Sequence, residues 1–383
     1  MSVERGILKE LKRVYGGLAE KLISLLRVPP QRLYARVNTV KSTREEVLRL
    51  LEKEGTVAYP DEHVPDAIYF EVEGPHRLEC PTSKKIVVDT KTAVSLLLGA
   101  NLYRPGVLKA PAFEEGELLL AVTRSGVPVA CIKATLSYSD MLKRHVGLVG
   151  VNIQSPYKAP RIAETSAYAR GLIYPQSLPS IITTHVLGPR AGELVIDMNA
   201  SPGGKTGHIV QFTRGSARVL AYDRNEKKIH ELRRNLAKLG LLVNVVAIPA
   251  DSRYIHLDFD LHNKADRVLI DPPCTNLGVR PLLDYARTFR EVRALSNYQR
   301  QFLKAAARVL RPGGRLVYST CTLTMSENEE NVVYAVEELG LTSVELDDNP
   351  PYSEKVSFRG IVAYRYTPFS HDMPGYFIAV LTK

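Results

Sequence analysis

The sequence predicts an α/β fold, a doubly wound parallel sheet joined to an N-terminal α+β piece and a small β-barrel. Three observations carry that expectation. From about Glu193 onward, apolar strand-like runs alternate with amphipathic helical stretches, the pattern of a sheet covered on both faces. Residues suited to chemistry fall directly after those runs, where open α/β sheets bind ligands. The 383 residues are also too many for one core and suit two to three domains.

Residues 1–74 form the first segment. Apolar positions recur at helical spacing from Glu4 to Leu26, closed by Pro29-Pro30. A short strand follows over Leu33 to Asn38. Ser42 then reads as an N-cap, with Glu45 completing a capping box for a helix through Val47, Leu48, Leu50 and Leu51. A unit this small cannot bury its own faces, so it is expected to pack on the large C-terminal domain.

Residues 75–155 have another texture. Apolar runs at Ile86–Val88, Leu118–Val122, Pro128–Ile132 and Val146–Val151 are separated by Gly and Pro, with one helix over Thr90–Leu98. Short strands between turn signals suggest a β-barrel. Residues 156–383 supply the strands Leu194–Ile196, Val219–Tyr222, Val243–Ile248, Val268–Ile270 and Arg315–Tyr318, and Tyr376–Leu381 as an edge strand. Helices are expected over Glu226–Lys238 and Tyr298–Leu310, the latter stopped by Pro312-Gly313-Gly314. Ser326 to Glu329 reads as a second capping box.

Composition narrows the function classes. Lys and Arg number 51 against 41 Asp and Glu, a formal charge of +10 that favours a polyanionic partner. Residues 1–74 carry 12 basic and 12 acidic side chains, so the excess lies in the middle and C-terminal parts. No apolar run reaches membrane-spanning length. The cysteines at 80, 131, 274 and 321 match neither a disulfide scaffold nor a zinc site. An intracellular, cytoplasmic protein without metal, monomeric by default, is the expectation, with Cys80 and Cys131 as small buried hydrophobes.

Four segments carry the chemistry. Asp197 to Thr206 holds Asn199, Ala200, Ser201, Pro202, Gly203, Gly204 and Lys205, a glycine turn opening a helix whose amides can meet a ligand. It lacks the first glycine of a phosphate-binding P-loop, since position 199 is Asn. Asp223 ends the next strand and suits the two hydroxyls of a ribose, and Asp251 ends the third and suits an exocyclic amine. Asp271-Pro272-Pro273-Cys274 and Ser319-Thr320-Cys321-Thr322 follow two further strands, so two thiols distant in sequence should share one rim. A thiolate that adds to carbon 6 of cytosine makes carbon 5 nucleophilic toward a sulfonium methyl. Asp271 can stabilise the proton on ring nitrogen 3, and a second thiol can assist release.

At these residues the chain resembles the Nop/Sun-type RNA cytosine-5 methyltransferases. The matching strings are Arg36-Val37-Asn38-Thr39, Tyr174-Pro175-Gln176-Ser177, Ser201 to Lys205, Asp271 to Cys274, and Thr320-Cys321. The resemblance implies a Rossmann-like sheet, S-adenosylmethionine as cofactor, Cys321 as nucleophile and Cys274 as the thiol aiding product release. It assigns residues 199–205, Asp223, Asp251 and Asp271 to cofactor binding, with Lys205 helping to position the base. Asn199 and Ser201 depart from the Cys or Ala common in relatives. Gly99 to Val107 resembles a PUA domain, and its placement is similar to the subgroup acting on cytosine 72 of the tRNA acceptor stem. tRNA, through its acceptor stem and 3′ end, is then the partner, and Arg104, Lys109, Lys143 and Arg144 are candidate phosphate contacts. Ribosomal RNA as substrate, and a non-catalytic RNA-binding role, are the alternatives.

Overall fold

The computed structural model describes residues 3–383. Its strands form three sheets.

The first is four-stranded and antiparallel, in the order Ile173–Pro175, Arg32–Val37, Ala67–Glu71, Tyr59–Pro60. One of its strands thus comes from beyond the middle segment, so the chain returns to complete this sheet before entering the large one. Ala35, Val37, Val47, Leu51, Ile68, Phe70 and Ile173 fill its core. The N-terminal helix is two helices, Arg5–Tyr15 and Ala19–Leu26, where the sequence pattern predicts one. The break falls at Gly16, whose φ of 54° only glycine adopts freely. The cap of the next helix sits one residue later than predicted. Thr43 Oγ1 accepts from Glu46 N at 3.2 Å and Glu46 Oε2 accepts from Thr43 N at 3.0 Å, while Ser42 only adds a hydroxyl to the same carboxylate.

The middle segment forms a six-stranded sheet in the order Leu102–Tyr103, Leu148–Gln154, Pro128–Ala134, Leu118–Val122, Lys85–Val88, Val107–Lys109. Helix Thr90–Leu97 packs on it through Ala93, Leu96 and Leu97. Cys80 and Cys131 are joined in a disulfide with Cα atoms 5.3 Å apart, which corrects their reading as unpaired hydrophobes. The bond ties the segment entering the unit to one of its central strands.

The large sheet has nine strands: β1 (Leu194–Asp197), β2 (Arg218–Asp223), β3 (Val245–Pro249), β4 (Ala265–Ile270), β5 (Leu310–Thr320), β6 (Thr342–Ser343), β7 (Glu354–Phe358), β8 (Ile361–Tyr366) and β9 (Tyr376–Thr382). The order is β3-β2-β1-β4-β5-β9-β8-β7, with β6 also paired to β9. Strands β1 to β5 are mutually parallel and the remainder antiparallel, so the sheet is mixed rather than wholly parallel. β9 is an interior strand, not the expected edge. Its residues Tyr376–Leu381 are all buried, the continuous apolar run of a strand covered on both faces. The helix before β5 is longer than predicted, Phe289–Val309, and β5 itself runs through Pro312-Gly313-Gly314. Ser326 does not cap a helix. Its N–H and hydroxyl both donate to Glu10 Oε2, at 3.1 and 2.8 Å, and the helix starts at Glu329. Among the described residues no helix is long and apolar enough to cross a membrane.

Two buried polar contacts dock the N-terminal sheet beneath the ligand face of the large one. Arg36, wholly buried, donates from Nη1 to Gly204 O at 2.5 Å and to Gln176 Oε1 at 3.0 Å. Burial pulls its guanidinium down to about 10, which leaves it cationic at neutral pH. Asp66 lies between His185 Nε2 at 2.8 Å and His208 Nε2 at 2.7 Å, and accepts from Gln211 Nε2 at 3.2 Å. His208 and Gln211 belong to helix Gly204–Phe212, the one that opens from the glycine turn.

Candidate active site

The loops at the carboxyl ends of β1 to β5 enclose a cleft of about 520 Å³. Asn199, Ser201, Pro202, Asp223, Asp251, Asp271, Cys274 and Cys321 all line it. A smaller cavity of about 250 Å³ adjoins it, walled by Tyr174, Gln176, Ser177, Gly204 and Lys205, and Asp271 faces both.

The glycine turn is built from below. Asp197 at the end of β1 is buried and does not face the cleft. It accepts from Thr206 Oγ1 at 2.7 Å and Asn199 N at 3.4 Å, pinning the turn, and burial pushes its carboxyl up to about 6. Gly203 has φ 108°, a conformation that strains any side chain, and starts helix Gly204–Phe212. Asp223 accepts from Ser201 N at 3.2 Å, from Arg224 N at 2.8 Å and from Lys228 Nζ at 3.1 Å. Asp251 is held by the Arg253 guanidinium, which keeps its carboxyl below the usual range. Two carboxylates and the turn thus face one cleft from three adjacent strands. Asn199 Oδ1 is buried with no protein partner. An orphaned acceptor in the wall of a cleft is the kind of group a bound ligand satisfies. These donors and acceptors fit the hydroxyls and amines of an adenosine-type cofactor.

Across the cleft, Cys274 follows β4 and Cys321 follows β5. Their sulfur atoms are 3.2 Å apart although 47 positions separate them. Asn276, in the left-handed region at φ 58°, places Oδ1 3.2 Å from Cys274 Sγ and 3.1 Å from Cys321 Sγ. Gly278 N donates to Cys321 O at 2.9 Å, and Gly375 N to Gly278 O at 2.8 Å. A Cβ on Gly278 would lie 2.0 Å from Gly375 O, so only glycine permits this three-way stitch. Sequence patterning gave no sign of Asn276, Gly278 or Gly375, because each acts through contacts distant along the chain.

The electrostatics divide the two thiols. Cys274 is 7% exposed, and Cys321 is more open to the cleft. The hydrogen bond with Cys321, followed by burial, pushes the Cys274 thiol well above its ordinary range. Lys205 Nζ lies 2.5 Å from Asp271 Oδ2 and 5.7 Å from the centre of the Tyr376 ring. Burial opposes its charge, but Asp271 and Tyr376 outweigh burial and raise the Lys205 pKa, so it stays an ammonium. In the middle unit, by contrast, Arg104 is turned inward, donating to Met141 O at 3.2 Å and Val107 O at 3.3 Å. Lys143 is exposed and paired with Asp140 at 2.9 Å, and Lys109 and Arg144 are exposed.

A doubly wound sheet with a carboxylate-lined cleft at its strand ends has the architecture of an enzyme that binds a nucleoside cofactor. Residues 184–382 match the family described as 16S rRNA methyltransferase RsmB/F, and residues 7–76 match the ferredoxin-like domain of RsmF/B-like methyltransferases. The tRNA (cytosine(72)-C(5))-methyltransferase of Pyrococcus horikoshii is 37% identical, over 98% of this chain and 96% of that one. The mouse tRNA (cytosine(72)-C(5))-methyltransferase NSUN6 is 30% identical, over 83% of this chain and 73% of its own. The crystal structure of NSun6 from Pyrococcus horikoshii with SFG superposes with a TM-score of 0.91 at 35% identity, covering 99% of this chain and 98% of that one. The chain belongs to the RsmB/F methyltransferase family, whose cofactor is S-adenosylmethionine.

Proposed function

We propose that this protein methylates carbon 5 of a cytosine in tRNA, at position 72 of the acceptor stem, through a covalent adduct on Cys321. The observation that carries the reading is the pair of sulfur atoms 3.2 Å apart on the rim of a cleft fit for an adenosine-type cofactor. The tRNA assignment draws on the relatives named for cytosine 72.

When bound, S-adenosylmethionine supplies an electrophilic methyl group on a sulfonium. Asn199 to Lys205, Asp223, Asp251 and Asp271 would hold it. Cys321 Sγ adds to carbon 6 of the cytosine, which turns carbon 5 into a nucleophile. As negative charge develops on ring nitrogen 3, that nitrogen takes up the proton that Cys321 gives up on adding. The Asp271 carboxylate, oriented by the Lys205 ammonium, accepts a hydrogen bond from the new N3–H while Lys205 positions the ring. After methylation the carbon-5 proton passes to solvent and its bonding pair restores the C5–C6 double bond. The S–C6 bond breaks with its electron pair returning to Cys321, and the N3 proton returns to that thiolate. Cys274, in contact with that sulfur, assists this release.

The middle unit, in this reading, is a PUA-type RNA-binding domain that receives the acceptor stem and 3′ end, with Lys109, Lys143 and Arg144 toward the phosphates, while Arg104, expected among them, braces the unit from within. The target base must leave its stack to reach Cys321 in the cleft. The enzyme acts as a cytoplasmic monomer. The deciding experiment incubates the protein with labelled cofactor and either tRNA or ribosomal RNA, then maps the product by bisulfite sequencing. Label at tRNA position 72 is expected. Label confined to 16S rRNA, the substrate in the family's description, would move the assignment there, and no transfer to either would leave a binding protein.

A further inference from the structure

We propose that Glu327 is a positioning residue that sets the spacing of the two thiols, by gripping the loop of each. The inference rests on the reading of Cys274 and Cys321 as the reacting pair.

Glu327 is fully buried in the turn before helix Glu329–Glu337. Its Oε1 accepts from Thr275 N at 2.9 Å and from Gln299 Nε2 at 3.1 Å. Its Oε2 accepts from Thr275 Oγ1 at 2.6 Å and Thr324 Oγ1 at 2.8 Å. Thr322 Oγ1 lies 2.7 Å from Thr275 Oγ1 and completes the bridge. Thr275 immediately follows Cys274, and Thr322 immediately follows Cys321. Gln299 also donates to Pro273 O at 2.9 Å, so the residue preceding Cys274 is held by the same knot.

Every one of these donors is neutral. The carboxylate is therefore not half of an ion pair, and burial pushes its pKa up. What a carboxylate offers here is two oxygens that only accept, with about four lone-pair directions. A glutamine of the same shape would turn an N–H toward donors that already point inward, and the loops would have to part. Geometry at this scale matters, since a misplacement of about 1 Å at a reacting atom can cost ~100-fold in rate.

The test uses the full chain with Glu327→Gln, Thr275→Val and Thr275→Ser, and with Glu193→Gln as a matched control. Glu193 pairs with Arg267 at 2.9 Å at the opposite ends of the strands. Two quantities are measured. One is methylation turnover together with cofactor and RNA affinities. The other is the rate at which diamide, which takes two electrons and two protons from a thiol pair, closes a Cys274–Cys321 disulfide, followed by mass spectrometry. Glu327→Gln is expected to lower kcat ~100-fold, with both affinities nearly unchanged and disulfide closure clearly slowed. Thr275→Val should shift both rates the same way, Thr275→Ser should recover most of each loss, and Glu193→Gln should lower only the melting temperature. A folded Glu327→Gln protein with wild-type kcat and closure rate overturns the proposal. If that variant does not fold, wild-type closure in Thr275→Val overturns it instead. Should the unaltered enzyme methylate no RNA, the functional reading fails, while the closure rates still judge Glu327.

Discussion

The thiol rim and the middle unit handle polar side chains in opposite ways. On the rim, groups from β1 to β5 converge on one cleft, and the two thiol loops are locked by backbone and buried side-chain hydrogen bonds. In the middle unit, Lys109, Lys143 and Arg144 stand exposed, and Lys143 answers only to its neighbour Asp140. The contrast teaches where geometry matters. Bond-making atoms must be held within fractions of an ångström. A phosphate backbone can be met by mobile charges in water, which position RNA without reading its sequence.

Four predictions can break or sharpen that contrast. The largest effect is expected at the rim's centre. Cys321→Ala should lose turnover by ~10⁴-fold or more, whereas Cys274→Ala should form the protein–RNA adduct and fail to release it, visible on denaturing gels. An adduct in Cys321→Ala but not in Cys274→Ala would reverse the two roles. Next, Lys205→Met should reduce kcat/KM ~100-fold to ~1000-fold, because Asp271 loses its orienting partner. A change under threefold would show that Asp271 needs no such partner.

The third extends the buried side of the contrast to the knot under the glycine turn. Burial, then the neighbouring Arg36, holds the His208 pKa down at about 3, while the unfolded chain binds a proton below about 6.5. Its contribution is therefore complete above pH 6.5 and erodes as pH falls toward 3, by about 2 kcal/mol at pH 5. Asp66 acts in the same direction at lower pH. Its hydrogen bonds from His185 and His208 overcome burial and depress its pKa, so its contribution is full above about 4 and drains away below. Urea denaturation from pH 7 to 5 should follow this slope and flatten in His208→Gln; an identical slope in that variant would exclude His208. The smallest effect belongs to the exposed side. Lys143→Glu with Arg144→Glu should weaken RNA binding ~10-fold and flatten the log-affinity salt slope by about 1 per contact. Unchanged binding across salt would remove these residues from the RNA path.

What the sequence disclosed follows the same division. The strand-end Asp and Cys segments were legible because strand–helix alternation fixes which end of a sheet faces the ligand, whatever the details of packing. β1, β2 and β4 end within one residue of their apolar runs for that reason, although β4 begins three residues before its run, at Ala265. β7 and β8 escaped notice, since β7 reads Glu-Lys-Val-Ser-Phe and is partly exposed on an edge. β9 reads as an edge in sequence because nothing local tells that β7 and β8 lie beyond it. Cys80 and Cys131 gave no hint of their bond, for the pairing depends on a fold that brings together residues 51 positions apart. Asn276 and Glu327 were invisible for a related reason. Their partners lie on other loops, and neither carries a motif whose chemistry announces itself.

The close approach of Gly278 to Gly375 has a consequence for biosynthesis. Both thiols leave the ribosome before the turn and strand that register them, because residues 375–382 are translated after Cys274 and Cys321. Until β9 slots in beside β5, a nascent chain carries both thiols without the backbone contacts that set their register in the folded protein.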